Sequence, residues 1–458
     1  MSSAEQYRAL SASLRANSVT YVRLAWVDLI GWTRYRVIPI AQFDKLLKSA
    51  RPGVRLTEAS LGLVFMQLAD GFHSSGEYLY VVDPSSMRLC NSYAAGHAIV
   101  MGWFERAIPS PNAPLSVPLC PRGQLRRIVT EAERTHGVKI RMGFEVEVIF
   151  LKSAVPLDAV NDFGWSLSKA IPSGSVIAQV LEEIANGLQH SGVELLMYHA
   201  EAAPGQYEFV TNHLPPLEAV DALIATKETI SNIASKYGLQ ATQAPRLYND
   251  TCGSGLHVHL SVSSSRASAS ANVPSAPGFS ALEASFLQGM LDHLPGVCAL
   301  SLPTDASYAR MLDGIWSGGT WASWGRENRE SAIRVCGEEG NYHFEVRAHD
   351  GTACSYIAMA ALIAGGMRGV RSSAPLVTKD CQKLASSLSG DERRELGISR
   401  RMPLKLEEAR QYLTQDQEMK ADLGEDFVKT FLAVNETLQS ALKDETEEKT
   451  IKKLVDHY

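Results

Sequence analysis

The spacing of apolar residues along the chain predicts a mixture of helices and strands. Apolar and polar residues alternate through 21–40 around Gly31 and Trp32, which predicts a two-stranded hairpin after a helix-prone start. Further strands are predicted at 79–82, 207–211 and 256–262. Longer patterns predict helices at 41–50, 122–135, 173–191, 217–237, 352–370, 404–444 and 444–456.

A proline-rich segment interrupts these patterns. Residues 108–121 carry prolines at positions 109, 111, 114, 118 and 121, which predicts an extended linker. With 458 residues the chain is long enough for two domains. We expect a small β-rich domain at 1–115 and a large domain at 116–458. Within the second, the Ser, Ala and Pro of 263–280 predict a flexible loop.

Composition narrows the class of protein. Hydrophobic residues make up 45% of the chain and charged residues 21%, as in ordinary globular proteins. A net charge of −6 argues against nucleic acid or an anionic membrane as the main partner. The seven cysteines include no CxxC pair, which favours reduced thiols over a structural zinc site. No signal peptide or membrane span is predicted, so we expect a cytoplasmic protein.

Two segments carry paired carboxylates. Glu145 and Glu147 alternate with apolar residues in a predicted strand, so both side chains point to the same face. Glu201 and Glu208 flank the turn signal at Pro204, which predicts a hairpin with both acids close together. Each pair alone is more often a set of solvated surface charges.

Two further segments add histidine and arginine. His257 and His259 share one face of a predicted strand, behind glycines that allow close approach of another group. Glu345 and Arg347 share a face in the segment FEVRAHDG, where the simpler interpretation is an exposed salt bridge.

Together, these side chains predict a phosphoryl-transfer site. Five glutamates and one histidine facing one cavity would repel each other unless cations lay between them, and such ligands suit Mg²⁺ or Mn²⁺. Arginines concentrated in the same half of the chain could neutralise phosphates. No P-loop or Rossmann motif is present. The arginines are Arg310, Arg326, Arg329, Arg334 and Arg347.

The order of these motifs resembles the glutamine synthetase family over roughly 21–442. The nearest subgroups are the FluG-type glutamine-synthetase-like proteins and the bacterial γ-glutamyl-amine ligases. The matching segments are FEVE at 144–147, EAAPGQYE at 201–208, GSGLHVH at 253–259, SYAR at 307–310, NR at 328–329 with IR at 333–334, and FEVRAHDG at 344–351.

The resemblance implies an α+β fold, with a small β-grasp-like N-terminal domain and a large catalytic domain. It also implies a homo-oligomeric ring whose active sites lie between subunits. ATP would phosphorylate the side-chain carboxylate of glutamate or an analogue, and an amine would then attack the acyl phosphate. Two metal positions are implied, one held by Glu147, Glu201 and Glu208, the other by Glu145, His257 and Glu345.

The resemblance also assigns roles to the arginines. Arg310 would hold the α-carboxylate of the substrate, and Arg347 would contact the reacting carboxylate and the transferred phosphoryl group. Arg329 and Arg334 would contact the ATP phosphates, and His259 would line the nucleotide pocket. With Glu345, the residues Arg310, Arg329 and Arg347 form the predicted catalytic set.

The ammonium end of the predicted site departs from the family pattern. Trp316 stands where the family has a glutamate that helps to bind ammonium, and Cys252 stands where an asparagine is expected. Glu58 is a loose match to an aspartate of the same pocket. A less anionic, more aromatic pocket favours an organic amine as acceptor, with cation–π attraction to Trp316.

Three alternatives stay open. The protein could be an ordinary glutamine synthetase with Trp316 as a packing residue, or an inactive scaffold with the same fold. The presence of all six predicted metal ligands counts against the scaffold. A guanidino kinase shares part of the fold, but the length and motif order fit it poorly.

Overall fold

The N-terminal part begins with a capped helix and the predicted hairpin. The computed structural model describes residues 2–264, 273 and 275–458. Helix α1 (Ser3–Ala16) starts with a capping box between Ser2 and Glu5, which satisfies free amides of its first turn. Strands β1 (Tyr21–Val27) and β2 (Thr33–Pro39) then pair antiparallel, so the predicted hairpin is confirmed.

Two small sheets follow in this part of the chain. Strands β2, β1, β8 and β7 form one in that order, and β3, β6 and β9 form the other, with β4 and β5 as a separate ribbon. Helix α2 (Ile40–Leu46) is shorter than the predicted 41–50. The remaining strands are β3 (Gly53–Thr57), β4 (Leu63–Val64), β5 (Gln67–Leu68), β6 (Glu77–Val82), β7 (Arg88–Leu89), β8 (His97–Val100) and β9 (Gly102–Arg106).

The proline-rich segment leads into a helix at its last proline. Helix α3 (Pro121–Glu131) has Pro121 in its first turn, where a missing amide hydrogen costs nothing, and it continues as a π-helical turn, Ala132–His136. The division of the chain into domains 1–115 and 116–458 stays a prediction.

A nine-stranded, mostly antiparallel sheet carries the rest of the fold. Its main order is β12, β13, β10, β15, β18, β17 and β16, with β11 and β14 both pairing with the long strand β10. The strands are β10 (Val138–Ala154), β11 (Leu157–Ala159), β12 (Leu195–Ala200), β13 (Gln206–Thr211), β14 (Gln240–Thr242), β15 (Leu256–Ser264), β16 (Trp324–Arg326), β17 (Ile333–Cys336) and β18 (His343–Val346).

Helices pack around this sheet, and most of them match the predicted ranges to within a few residues. The single predicted stretch 404–444 consists of three helices, α10 to α12. The helices are α4 (Val176–His190), α5 (Pro216–Lys236), α6 (Ala281–Ser301), α7 (Asp305–Arg310), α8 (Ser355–Ser372), α9 (Gly390–Glu395), α10 (Leu406–Gln415), α11 (Gln417–Leu423), α12 (Glu425–Leu442) and α13 (Glu447–His457).

Three details of the prediction are corrected. The predicted loop 263–280 begins inside β15, which runs to Ser264, and its residues 265–272 and 274 lie outside the described residues. Glu201 was expected on a strand, but it follows the last residue of β12 because the chain turns there. Arg347 likewise lies one residue beyond β18.

A buried ion cluster joins the N-terminal sheets to the helices of the large sheet. Arg122 on α3 donates to both carboxylate oxygens of Asp221 on α5, at 2.9 and 2.7 Å, and to Asp83 after β6 at 2.7 Å. The hydroxyl of Tyr356 on α8 donates to the same Asp221. Because one buried arginine holds carboxylates from two parts of the chain, the cluster fixes how these elements meet.

Among the described residues, no helix combines the length and apolar content needed to cross a membrane. The apolar helix α8 is instead buried against α6. A β-carbon on Gly369 would overlap the carbonyl oxygen of Ser285 and lie 2.8 Å from the amide nitrogen of Gly289. The two helix backbones therefore approach closely only because these positions lack side chains.

Replacing Gly369 by alanine is expected to lower the melting temperature, because the added methyl group must push two packed helices apart. Overpacking of this kind costs about 1–3 kcal/mol or more. The matched control is Gly296→Ala on α6, where a β-carbon would meet Leu413 at an ordinary 3.4 Å. The control should be neutral or slightly stabilising. Equal melting temperatures for both variants would contradict the close helix contact.

Candidate active site

One face of the large sheet carries a continuous row of charged side chains. In the antiparallel register Glu208 on β13 is opposite both His199 on β12 and Glu147 on β10. Directly opposed residues point to the same face. Along the same face, Glu145 is opposite His257 on β15.

The row continues across the next strands. His259 is opposite Glu345 on β18, and Glu345 is opposite Arg334 on β17. The row thus crosses six neighbouring strands and brings together four of the predicted glutamates, both histidines and one arginine. Glu201 joins it from the turn after β12, 3.5 Å from Nδ1 of His199.

Glu147 is held in place by two hydrogen bonds and a contact with histidine. Its Oε2 accepts from the backbone amide of Gly255 at 2.8 Å and from the side-chain amide of Gln206 at 2.9 Å. Its Oε1 lies 3.6 Å from Nε2 of His257. These donors fix one carboxylate oxygen and leave the other directed to the centre of the row.

Sequence reasoning missed His199. Its Nε2 lies 3.2 Å from Glu208 and its Nδ1 3.5 Å from Glu201. The hydrogen bond with Glu208 raises the pKa of His199 to about 9, so the imidazole is protonated at neutral pH. The cation is placed between two carboxylates that would otherwise repel each other.

The two acids beside His199 are strongly perturbed. Burial, followed by the charge of Glu147, raises the pKa of Glu201 to about 7. Burial raises the pKa of Glu208 to about 8, against the lowering effect of its hydrogen bond with His199. Each acid therefore keeps its proton to a higher pH than a solvated glutamate does, as expected of crowded carboxylates whose repulsion a cation would relieve.

The pKa of Glu145 is shifted in the opposite direction. Burial alone would raise its pKa, but hydrogen bonds with His257 and His259, at 3.0 and 2.9 Å, lower it below the usual range. Gly255 makes this arrangement possible, since a β-carbon there would lie 2.5 Å from the ring of His257 and 2.6 Å from Arg310. The expected close approach at the glycines is therefore confirmed.

Glu345 connects the row to two arginines. It is fully buried and forms ion pairs with Arg347 and, at 3.0 Å, with Arg334. Burial would raise the pKa of Glu345, but the charge of Arg347 lowers it. The second amino group of Arg347 donates to the carbonyl oxygen of Trp316 at 2.6 Å. One guanidinium thus links the sheet to the loop that carries this tryptophan.

Arg310 and Arg329 differ from these paired arginines. Arg310 is only 2% exposed, yet no salt bridge joins it to a carboxylate among the described residues. It contacts His257 and the carbonyl oxygen of Arg347, both at 3.2 Å. Arg329 is exposed at the cavity edge. Both can therefore accept an anionic ligand without first losing a protein partner.

All these side chains surround one cavity of about 560 Å³. Within the described part of the chain, every lining residue lies between Glu145 and Arg347. All the predicted site residues line the cavity except His259, which hydrogen-bonds with Glu145 at 2.9 Å and is opposite Glu345. Glu58, in the 3₁₀ turn Glu58–Leu61, does not line the cavity of its own chain.

Large apolar side chains line part of the cavity, here called the aromatic pocket. They are Trp165, 65% exposed, Trp316, 57% exposed, Met197 and Ile315. The indole nitrogen of Trp165 donates to Glu201 at 3.2 Å. Glu201 is therefore within reach of both this indole and His199.

Hydrogen bonds hold Trp316 in place despite its exposure. Its backbone has a positive φ of 57°, a conformation that bulky residues rarely adopt. Its amide donates to Glu330 at 3.1 Å, and Glu330 also accepts from the amide of Gly314. Asp313 accepts from Thr320 at the far end of the loop. These contacts fix the backbone of the loop that carries the indole to the cavity.

The donor set fits divalent metal ions. Three groups of ligand atoms in the row each lie within 4.8 Å of one another. They are carboxylate-rich, as Mg²⁺ and Mn²⁺ require, and the added imidazoles favour Mn²⁺. These groups mix the two predicted ligand sets, so that division stays a prediction. The groups are Glu145, Glu208 and His257; His199, Glu201 and Glu208; and Glu145, His259 and Glu345.

The chain belongs to the glutamine synthetase family, since residues 118–454 match the glutamine synthetase catalytic domain. Members of this family are ATP-dependent ligases that use divalent metal ions. The α+β fold and the resemblance expected from the motifs are confirmed.

Two curated relatives and one solved structure are similar to this chain. Protein fluG of Emericella nidulans is 34% identical over 98% of this chain, and the chain spans about half (50%) of that protein's length. The γ-glutamylpolyamine synthetase GlnA3 of Streptomyces coelicolor is 31% identical over 94% of this chain and 92% of its own. The structure of a glutamine synthase homolog has a TM-score of 0.80 with 26% identity, covering 96% and 99% of the two chains.

Replacing Glu208 by glutamine should change the stability of the protein in opposite directions with and without metal. Without metal, the amide removes one of several crowded acids, so the melting temperature should stay equal or rise. With saturating Mn²⁺, the wild type gains about 2.7 kcal/mol at one hundred times Kd. A tenfold loss of affinity would reduce that gain by about 1.4 kcal/mol.

The measurement is a melting curve in EDTA and in a MnCl₂ series. Glu194→Gln is the matched control, because Glu194 is an exposed acid just before β12 whose hydrogen bonds, among the described residues, are all with Asn212. An undiminished Mn²⁺ shift in the Glu208→Gln variant would exclude Glu208 as a ligand.

Proposed function

We propose that this protein is an ATP-dependent ligase that phosphorylates the γ-carboxylate of glutamate, or a close analogue, and joins it to an organic amine. The observation that carries the proposal is the row of carboxylates and arginines on one sheet face, ending at an aromatic pocket. That arrangement suits three ligands in sequence, namely a polyphosphate, a carboxylic acid and an amine.

Arg310 holds the α-carboxylate of the acid in this proposal. A buried guanidinium with no carboxylate partner binds anions strongly. Folding has already removed the guanidinium from water, so ligand binding does not have to supply that free energy. Glu147, ordered by Gln206 and Gly255, faces the same space. The γ-carboxylate then extends towards Arg347 and the centre of the row.

The phosphoryl group passes from ATP to the γ-carboxylate of the acid beside Arg347, giving an acyl phosphate and ADP. Divalent ions held by the carboxylate row would neutralise the phosphates. Arg347 contacts the γ-carboxylate and the transferred group, and Arg334 and the exposed Arg329 contact the remaining phosphates. His259 lines the nucleotide side, where Glu145 orients its ring. Chemistry of this kind depends on positioning and exclusion of water, without a covalent enzyme nucleophile.

The acceptor amine binds in the aromatic pocket. Trp165 and Trp316 provide apolar surface and a negative ring face for an alkylammonium group, and the carboxylate of Glu201 provides a compensating negative charge. One similar protein is named a γ-glutamylpolyamine synthetase, which supports an acceptor larger than ammonium.

The test is a product screen by mass spectrometry. The protein is incubated with ATP, Mn²⁺ or Mg²⁺, L-glutamate and either ammonium or one of methylamine, isopropylamine, ethanolamine, putrescine and tyramine. We expect a γ-glutamyl amide from an organic amine and little glutamine. Glutamine as the main product would support ordinary glutamine synthetase instead. An absence of phosphate release with every amine would refute the ligase.

Trp316→Glu tests the aromatic pocket directly. A second carboxylate should favour the small ammonium cation, so the ratio of glutamine to organic amide should rise by about tenfold, equivalent to 1.4 kcal/mol. Trp321→Phe, in the same loop region but outside the cavity lining, is the control and should keep the wild-type ratio. An unchanged ratio in Trp316→Glu would place the acceptor elsewhere.

We further propose a homo-oligomeric ring with active sites between subunits. The cavity is lined only from 145 to 347 among the described residues, so a neighbouring subunit is free to close it. Light scattering should give a native mass several times the chain mass of 49.9 kDa. A fully active monomer would contradict the shared site.

A further inference from the structure

A second group of potential metal ligands extends the carboxylate row on the same face of the sheet and shares His259 with it. Cys336 on β17 is directly opposite His343 on β18. His259 on β15 is opposite Glu345, two residues further along β18. Opposed positions and two-residue steps keep side chains on one face, so all three residues converge.

The three side chains are close enough to share one ion. Their ligand atoms all lie within 4.8 Å of one another, and the rings of His259 and His343 have centroids 5.1 Å apart. Ligand atoms around a tetrahedral zinc ion are about 3.5 Å apart, so shifts of about 1 Å would complete the site. Antiparallel strands already fix the backbone positions.

Two of these ligands have no competing hydrogen bond. Within the described residues, neither the thiol of Cys336 nor the ring of His343 has a hydrogen-bond partner, although Cys336 is only 6% exposed. His259 contacts Glu145 at 2.9 Å, a carboxylate placed to orient the ring or to supply a fourth ligand. Arg334 is the nearest cation, and it is neutralised by Glu327 and Glu345.

We propose that Cys336, His259 and His343 bind a zinc ion and that this ion inhibits the enzyme. One thiol and two imidazoles favour a softer ion than the carboxylate row, which favours Mg²⁺ or Mn²⁺. The inhibition rests on the proposed function, in which His259 faces the nucleotide. Zinc bound there occupies His259 and the space beside Glu345, so it competes with the metal–nucleotide complex.

Cobalt binding tests the site without relying on activity. Chelator-treated protein is saturated with Mg²⁺ to fill the carboxylate positions and is then titrated with Co²⁺ or Zn²⁺. We expect a thiolate-to-cobalt charge-transfer absorption in the near ultraviolet, which requires a cysteine ligand. Cys336→Ser should abolish it and weaken zinc binding by at least ~10-fold.

Two further variants make the result unambiguous. Cys381→Ser is the matched control, since Cys381 is equally buried but belongs to none of the ligand clusters found in the described chain. It should keep the absorption and the zinc affinity. His343→Asn removes a second proposed ligand, and it provides the test of the site if Cys336→Ser fails to fold. Cobalt bound without the thiolate band, or unchanged zinc affinity in either ligand variant, would overturn the site.

Kinetics test the inhibition. Zinc should raise the apparent KM for ATP in the wild type, and Cys336→Ser should keep the zinc-free rate while needing at least ~10-fold more zinc for the same effect. Zinc bound with unchanged kinetics would overturn the inhibition. A protein that forms no γ-glutamyl product would fail the proposed function, whereas the cobalt spectrum would still decide the metal site.

Discussion

The register of the antiparallel strands is the constraint on which this site depends. It places Glu147 opposite Glu208, Glu145 opposite His257 and Glu345 opposite Arg334. A slip of one residue in any of these strands would turn its charges to the opposite face, among the buried apolar side chains. The packing of the apolar residues at alternate positions therefore fixes the register. The register in turn determines which charged side chains meet.

The same constraint explains why the site is electrostatically uneven. Glu145 and Glu345 are surrounded by histidine and arginine, which lower their pKa values, whereas Glu201 and Glu208 have only His199 between them. Burial then keeps the pKa of Glu201 near 7 and that of Glu208 near 8. The pKa values are therefore lowered in the half of the row beside histidine and arginine and raised in the half where burial dominates.

Alternation along single strands was enough to predict which charged residues share a face, because that depends only on a period of two. The order of the motifs along the chain then indicated the family and, with it, the fold. The pairing of distant strands was beyond local patterns, so His199 was missed, although it precedes Glu201 by two residues and has the same parity. Local patterns could not predict the proximity of Cys336 to His259 for the same reason, since 77 positions separate them in the chain.

The loop around Trp316 keeps its shape without help from the indole side chain. Its shape comes from Glu330, Asp313 and the carbonyl contact with Arg347, all of which involve the backbone of the loop. The indole itself has no part in those bonds. A single codon change at position 316 therefore alters the cavity lining and leaves the sheet untouched, so related genes can vary what this part of the cavity accepts while they inherit the same row of charged side chains.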